Sequence, residues 1–436
     1  MESVKLGLIG LGTVGTGVVK VLQQNADVIK QRLGLPLTIK QIAVRHLEKD
    51  REVKVDRHLL TRDPYDLIND PDIDILIELI GGYEPARTLI LSAIEQGKHI
   101  VTANKALLAR YGHEIFSAAS AKGVDLGFEA SVGGGVPIIR ALREGFAANH
   151  IQSIYGIVNG TANYILSKMT DEGRDFHEVL KEAQEKGYAE PDPTFDIEGI
   201  DSAHKIAILC ALAFGAHLDL DRVYAEGITH ITPLDIAYAR EFGFRIKLLA
   251  IGKRLDDAIE IRVHPTMIPE TNLISTVDGV LNAFYVVGDA VDKNIFIGRG
   301  AGAFPTASAV IGDLVEISRN IISNHCGGRV PPQSFLMGSI REVAIKDISD
   351  IVTSYYLRFS VVDKPGVLSK ISGVLGKNNI SISSVIQKGR HTQAAVPVVI
   401  MTHEARERDI RLALEEIDQL DVVLEKTVLL RVEEGE

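Results

Sequence analysis

The first 24 residues constrain this chain more than any other stretch of it. Val4-Lys-Leu-Gly-Leu-Ile9 is a short apolar strand that runs straight into Gly10-Leu-Gly12-Thr13-Val14-Gly15, followed by a helical stretch from Thr16 to Gln24. Strand, glycine fingerprint and helix stand in the order that a dinucleotide-binding βαβ unit requires. Gly10 permits the tight turn, Gly12 lets the backbone approach a pyrophosphate, and Gly15 lets the helix pack closely on the strand. The phosphates then rest at the helix amino end, beside Thr13 and Val14.

The following strands extend a doubly wound α/β sheet. Leu37 to Val44 ends at Arg45-His46, with Lys49 and Arg51 close behind. An NAD-selective fold places an acidic residue here for the ribose hydroxyls, whereas a basic cluster suits a 2′-phosphate. The cluster therefore points to NADP, with NAD still possible; the alternative is a solvated loop whose charges face water. Ile73 to Ile80 is a buried-strand pattern that ends at Gly81-Gly82, where the cofactor crosses the sheet. His99 to Thr102 is another strand, followed at once by Ala103-Asn104-Lys105. That puts Lys105 at the meeting point of nicotinamide and substrate. Gly127 to Val132 reads as a last strand running into Gly133-Gly134-Gly135-Val136-Pro137. The glycine run is either a hinge between domains or, with Glu129, an oxygen-lined seat for a hard monovalent cation.

Residues 190–205 carry the chemistry. Glu190, Asp192, Asp196, Glu198 and Asp201 are packed between prolines and a glycine, and Lys205 leads into the apolar run Ile206 to Phe214. A helix starting near Asp201 sets Asp201 and Lys205 four residues apart on one face. Burial lowers a lysine pKa and neighbouring carboxylates raise it, so a lysine between the two effects can hand a proton to a substrate. The competing possibility is an ordinary surface pair of little worth. Upstream, Ile154 to Tyr164 reads as a strand, a polar turn and a helix start. There the amides of Gly160 and Thr161, and the Thr161 hydroxyl, are placed to grip a carboxylate.

A length of 436 residues predicts about three domains. The formal net charge of −11 argues against nucleic acid or an anionic membrane as the main partner. Only Cys210 and Cys326 are present, which fits a reducing, cytoplasmic setting. No secretory signal or membrane-spanning run is read.

Six motifs together resemble the homoserine dehydrogenases: GLGTVG at 10–15, TANK at 102–105, FEASVGGGVP at 128–137, NGTANYIL at 159–166, GYAEPDPTFDIEGIDSAHK at 187–205 and GRGAGAFPTASAV at 298–310. Arg299 departs from a family pattern that more often shows proline. The resemblance implies reduction of L-aspartate 4-semialdehyde to L-homoserine with NAD(P)H. It implies Lys205 as proton donor and acceptor, with Asp201 beside it, and Lys105 touching both cofactor and substrate. Glu190, Asp196 and Asp201 would bind the substrate, Gly300 to Gly302 would close over the nicotinamide, and Gly81 and Thr102 are expected to bind the cofactor as well. A sodium site at Glu129, Val132, Gly134 and Val136 is implied in the same way.

From Tyr355 onward the predicted order is βαββαβ: strand 355–362, helix 366–377, strands 380–387 and 394–402, helix 404–417 and strand 421–432. With its Asp363-Lys-Pro365-Gly366-Val-Leu turn, it resembles the ACT regulatory domain, and the implied effector is L-threonine. The other possibility is a module for assembly alone. The expected division is a dinucleotide-binding domain at 1–135, completed by a helix at about 305–325. A catalytic and dimerisation domain at 136–304, a linker at 326–350 and the ACT domain at 351–436 follow, in a homo-oligomer of two or four chains. Two rival functions are a phosphorylating semialdehyde dehydrogenase, which needs a nucleophilic cysteine, and a binding-only sensor.

Overall fold

The computed structural model describes residues 1–327, 329–388 and 395–434. Six parallel strands form the first sheet: β1 (Val4–Ile9), β2 (Leu37–Ala43), β3 (Leu60–Thr61), β4 (Ile75–Glu78), β5 (His99–Thr102) and β6 (Leu126–Gly127). Their order, β3-β2-β1-β4-β5-β6, turns back between β1 and β4, so a crevice opens beyond their carboxyl ends. Apolar strand residues such as Leu6, Leu8, Ile75 and Ile77 have no exposed surface, as expected where helices cover both faces.

The strand expected over residues 127–132 stops at Gly127, and Glu129–Ser131 turns as a 3₁₀ helix. The cause lies across the chain. The Glu129 N–H donates to the buried Asp313 Oδ2 at 2.8 Å, and is lost to any strand ladder. A Cβ on Gly127 would stand 2.6 Å from Asp313 Cβ, so only glycine allows this approach. Asp313 belongs to the Ala303–Ser323 helix, which returns to pack on the first sheet's core through Val310 and Leu314.

A second sheet holds the middle of the chain: β7 (Ile151–Ile157), β10 (Phe244–Arg254), β11 (Ala258–Pro269), β12 (Leu281–Gly288) and β13 (Asp292–Arg299), ordered β13-β12-β7-β10-β11. The short strands β8 (Ala216–His217) and β14 (Arg341–Glu342) pair with each other; β9 (Tyr224–Ala225) and β15 (Ala344–Ile345) pair with β11. The Ile200–Phe214 helix packs on this sheet, its Cys210 Sγ filling the space above Gly252.

The carboxy-terminal residues follow the βαββαβ order. β16 is Val352–Val361, β17 Ile382–Gln387, β18 Val396–Thr402 and β20 Val423–Val432, with β19 (Ala405–Arg406) a short addition. The helices are Val367–Lys377 and Glu407–Ile417. Residue 394, where the sequence predicts a strand to begin, lies outside the described residues. This module is not set apart by a gap. β20 pairs with β11 in parallel, Thr266 with Arg431 and Met267 with Val432, so one continuous sheet of twelve strands spans both regions. Among the described residues, no helix is long and apolar enough to cross a membrane.

Candidate active site

The crevice is built from strand ends and helix starts. Gly10 adopts φ +101°, where a Cβ would lie 2.8 Å from Leu79 O; a Cβ on Gly15 would lie 2.3 Å from Gly10 O. Among the described residues, nothing stands within 4 Å of where a Gly12 Cβ would be. That opening faces the start of the Thr13–Gln24 helix, whose first N–H groups have no side-chain cap. The Ala303–Ser323 helix is likewise uncapped at Gly302, and Gly17 meets Ala303 so closely that a Cβ would be 2.5 Å from its carbonyl oxygen. Two open helix amino ends therefore converge on one spot, which suits the anionic backbone of a dinucleotide.

Arg45, just beyond β2, is exposed and makes no hydrogen bond or ion pair among the described residues. Arg51 is different. Its guanidinium donates to the carbonyls of His46, Leu47 and Lys49, so it holds the loop together. Arg45 alone of the two is free to meet a phosphate.

At the end of β4, Glu78 has no exposed surface, yet it is fully engaged. Its Oε1 accepts the N–H groups of Ile80 (2.8 Å) and Gly81 (3.1 Å), and its Oε2 accepts the Thr102 hydroxyl (2.6 Å). Thr102 Oγ1 in turn accepts the Asn104 N–H, and Asn104 Oδ1 caps the Lys105–Lys122 helix at Leu107 N. Gly81 thus shapes the crevice through its backbone amide, and Thr102 through its side-chain hydroxyl. The cap turns Lys105, the first residue of the helix, towards Asp201, with Nζ 2.8 Å from Oδ1.

Asp201 is the centre of the site. Its Oδ2 accepts from Lys205 Nζ at 2.7 Å and from Asn159 Nδ2 at 3.0 Å. Lys205 also donates to Val158 O at 2.6 Å, at the end of β7. Asn159 bridges Asp201 to Asp196, donating to Asp196 Oδ1 at 2.7 Å. Burial pulls the Lys205 ammonium below the ordinary lysine pKa, and Lys105 adds to the fall while Asp201 opposes it. Burial also acts against the Lys105 ammonium, but attraction to Asp201 outweighs it and its pKa stands above the ordinary value. Burial alone would raise the Asp201 carboxyl; the two lysines hold it well below the usual carboxylate range. Burial raises Asp196, against the Asn159 bond. The two lysines are therefore driven apart. Of the two, Lys205 is the one whose surroundings favour loss of the proton.

Glu190 sits at the rim. It is exposed, its side chain makes no hydrogen bond among the described residues, and its charge reaches Lys105 only through space. The Thr161 hydroxyl donates to Tyr188 O at 2.7 Å, so it ties the acidic segment to the Gly160–Glu172 helix and is not a free donor. Asn159 caps that helix at Ala162 N, leaving the amides of Gly160 and Thr161 at its open end.

The glycine run meets the loop before Gly302. A Cβ on Gly134 would lie 2.5 Å from Gly300 O, and Gly135 N donates to Arg299 O at 3.0 Å. Both carboxylate oxygens of Glu129 accept backbone amides, from Ile139 (2.9 Å) and Arg140 (2.8 Å), and burial pushes its pKa up to about 7. Val136 O accepts the Ile138 N–H.

Neither cysteine is built as a nucleophile. Cys210 has no exposed surface, and burial drives its thiol far up; Cys326 is raised too, by burial and then by Asp125. Sequence reasoning missed Glu78, Asn159 and Asn282, the last donating to the same Val158 carbonyl as Lys205 (2.9 Å). Glu78 had a signal, as the one charge closing an apolar strand. Asn159 lay within a quoted motif, whereas Asn282 comes from a distant strand with none.

Known proteins are similar to this chain in sequence and fold. The family model described as homoserine dehydrogenase matches residues 137–315, and that of the homoserine dehydrogenase NAD-binding domain matches 10–129. The ACT domain model matches 355–422. A homoserine dehydrogenase of Neisseria gonorrhoeae is 47% identical over 433 residues, covering 99% of each chain. The crystal structure of a homoserine dehydrogenase from Thiobacillus denitrificans superposes with a TM-score of 0.92 at 48% identity, over 100% of this chain and 99% of that one. A hyperthermophilic archaeal homoserine dehydrogenase in complex with NADPH matches with a TM-score of 0.61 at 26% identity, over 72% of this chain and 97% of that one.

Proposed function

This chain belongs to the homoserine dehydrogenase family, oxidoreductases acting on a CH–OH group, and from that premise we propose how its residues divide the work. The substrates are L-homoserine and L-aspartate 4-semialdehyde. The observation that carries the assignment is the buried Lys205–Asp201–Lys105 array at the end of β7. A nicotinamide cofactor supplies or takes the hydride. Lys205 donates the proton to the aldehyde oxygen in reduction and removes it from the hydroxyl in oxidation. Lys105 stays charged and stabilises the negative charge that develops on that oxygen. Asp196, Asp201 and Glu190 face the substrate ammonium, while the amides of Gly160 and Thr161 face its carboxylate.

The cofactor turn comprises Gly10, Gly12, Thr13, Val14 and Gly15, with Gly81, Thr102, Lys105 and Gly302 around the nicotinamide. Arg45 selects NADP through the 2′-phosphate. Its unpaired, exposed guanidinium supports this, as does the NADPH bound by the archaeal relative. Glu129 and the backbone carbonyls of Val132, Gly134 and Val136 would hold a sodium ion by the glycine run, each Glu129 oxygen accepting one amide and keeping a lone pair for the ion. A rise in melting temperature in sodium over choline chloride tests it. The ACT module takes L-threonine as a feedback effector, the chain works in the cytoplasm as a dimer or tetramer, and its domains divide near residues 135, 304 and 350.

Initial rates with homoserine and each cofactor, with and without threonine, test the whole assignment. Turnover favouring NADP and falling with threonine is expected; no turnover with homoserine under either cofactor would refute it.

A further inference from the structure

The junction between β11 and β20 buries a cation that takes no part in the lysine–aspartate array. Arg431 on β20 is 1% exposed. It donates to Glu407 through Nε (2.9 Å), to Glu226 Oε2 through Nη1 (2.8 Å) and to the Tyr224 hydroxyl through Nη2 (3.3 Å). Its guanidinium lies over the Tyr224 ring, 5.1 Å from the centroid, and Tyr224 donates to Glu226 Oε2 at 2.6 Å. Glu407 opens a helix of the carboxy-terminal module, whereas Tyr224 and Glu226 belong to β9 and the residue after it. One arginine thus joins the module to a short strand of the catalytic region.

That strand leads to the substrate pocket within three residues. Glu226 N donates to Val263 O (2.8 Å), and Ile228 N donates to Ile197 O (2.9 Å), the neighbour of Asp196. Between them, Gly227 presses on the acidic segment. A Cβ there would lie 2.5 Å from both Ile197 O and Glu198 Oε2. On the other side, Gly199, which precedes the helix of Asp201 and Lys205, lies in ordinary packing range of Glu226: its would-be Cβ is 3.4 Å from Glu226 O and 3.1 Å from Val263 Cγ1. The close approach is at Gly227, so a displacement of Glu226 carries Gly227 against Ile197 and Glu198 and bears on Asp196 and Asp201.

We infer that Arg431 and Glu226 are positioning residues, which set the acidic substrate segment from the carboxy-terminal module through β9. The inference rests on the assignment of Asp196 and Asp201 to substrate binding. A ligand or subunit contact that shifts β20 or the Glu407 helix then changes affinity for homoserine without touching the cofactor. Coupling residues of this kind alter binding by roughly two- to thirtyfold.

Steady-state kinetics of the full chain as Glu226→Gln, Gly227→Ala and Arg431→Lys, with melting curves to find a temperature at which each stays folded, test this. Expected is a rise of about three- to thirtyfold in KM for homoserine, with KM for NADP within twofold of the parent. Gly227→Ala removes no charge, so its effect reports displacement alone, and Arg431→Lys should lie between parent and Glu226→Gln. If Gly227→Ala and Glu226→Gln fold and both leave KM for homoserine within twofold, the inference is overturned, whatever their melting temperatures. An equal rise in both KM values would overturn it as well. Loss of turnover on replacing Lys205 tests the site itself and is independent of these variants.

Discussion

Asp201→Asn is the most informative single change, because it alters charge and almost nothing of shape. Asp201 holds Lys205 at 2.7 Å, Lys105 at 2.8 Å and Asn159 at 3.0 Å. Asparagine keeps one acceptor oxygen and replaces the other by a donor, so one lysine contact is lost and the other keeps only the lysine's own charge. A hydrogen bond to a charged group contributes about 1.5–3 kcal/mol, which as transition-state stabilisation is roughly a 10- to 150-fold fall in kcat/KM. The pH dependence carries the sharper test. Burial and Lys105 lower the Lys205 pKa and Asp201 raises it, so removing the carboxylate lowers it further. Reduction of the semialdehyde needs protonated Lys205, and its alkaline limb should move to lower pH. Oxidation of homoserine needs neutral Lys205, and its acidic limb should move to lower pH as well. The assay is kcat/KM against pH in both directions. Loss of activity with both profiles unmoved would refute the claim that Asp201 tunes Lys205, as would retention of activity within about threefold.

Three further outcomes are expected. Glu190→Gln should raise KM for homoserine about tenfold with kcat little changed, the lower end for a charge-assisted bond because the side chain starts exposed; unchanged constants would place Glu190 outside the pocket. Arg45→Ala should weaken NADP far more than NAD in titrations of both cofactors, and equal losses would remove the 2′-phosphate contact. Calorimetry should show threonine binding to the full chain, with inhibition lost in Gly366→Asp. Gly366 stands at φ +91°, so this variant is also strained, and a melting curve must accompany it. No heat and no inhibition would leave the module without that effector.

Much of this fold was legible because glycine and apolar patterns are local. Gly10, Gly12 and Gly15 announced the nucleotide turn, and the run from Ile73 to Ile80 announced β4. Lys205 and Asp201 could be paired from helical spacing alone. Lys105 could be placed near the chemistry, but its approach to Asp201 depends on the Asn104 cap, which only the folded turn reveals. The end of β6 at Gly127 was illegible because Asp313, 184 residues after Glu129, captures the amide that would have continued it. The continuity of β11 with β20 was hidden for the same reason. Only two residue pairs carry it, and neither strand's pattern names its partner. Thr161 offers a lesson of another kind. A hydroxyl at a helix start reads as a ligand donor, yet here it is consumed by Tyr188 O and fixes the acidic segment instead.

The central claim is that Lys205 moves the proton while the cofactor binds elsewhere. Lys205→Ala, with Lys205→Met as a better-packed control, should abolish turnover in both directions while NADP affinity, followed by fluorescence titration, stays nearly intact. A Lys205→Ala enzyme with near-full kcat would contradict the account at its root.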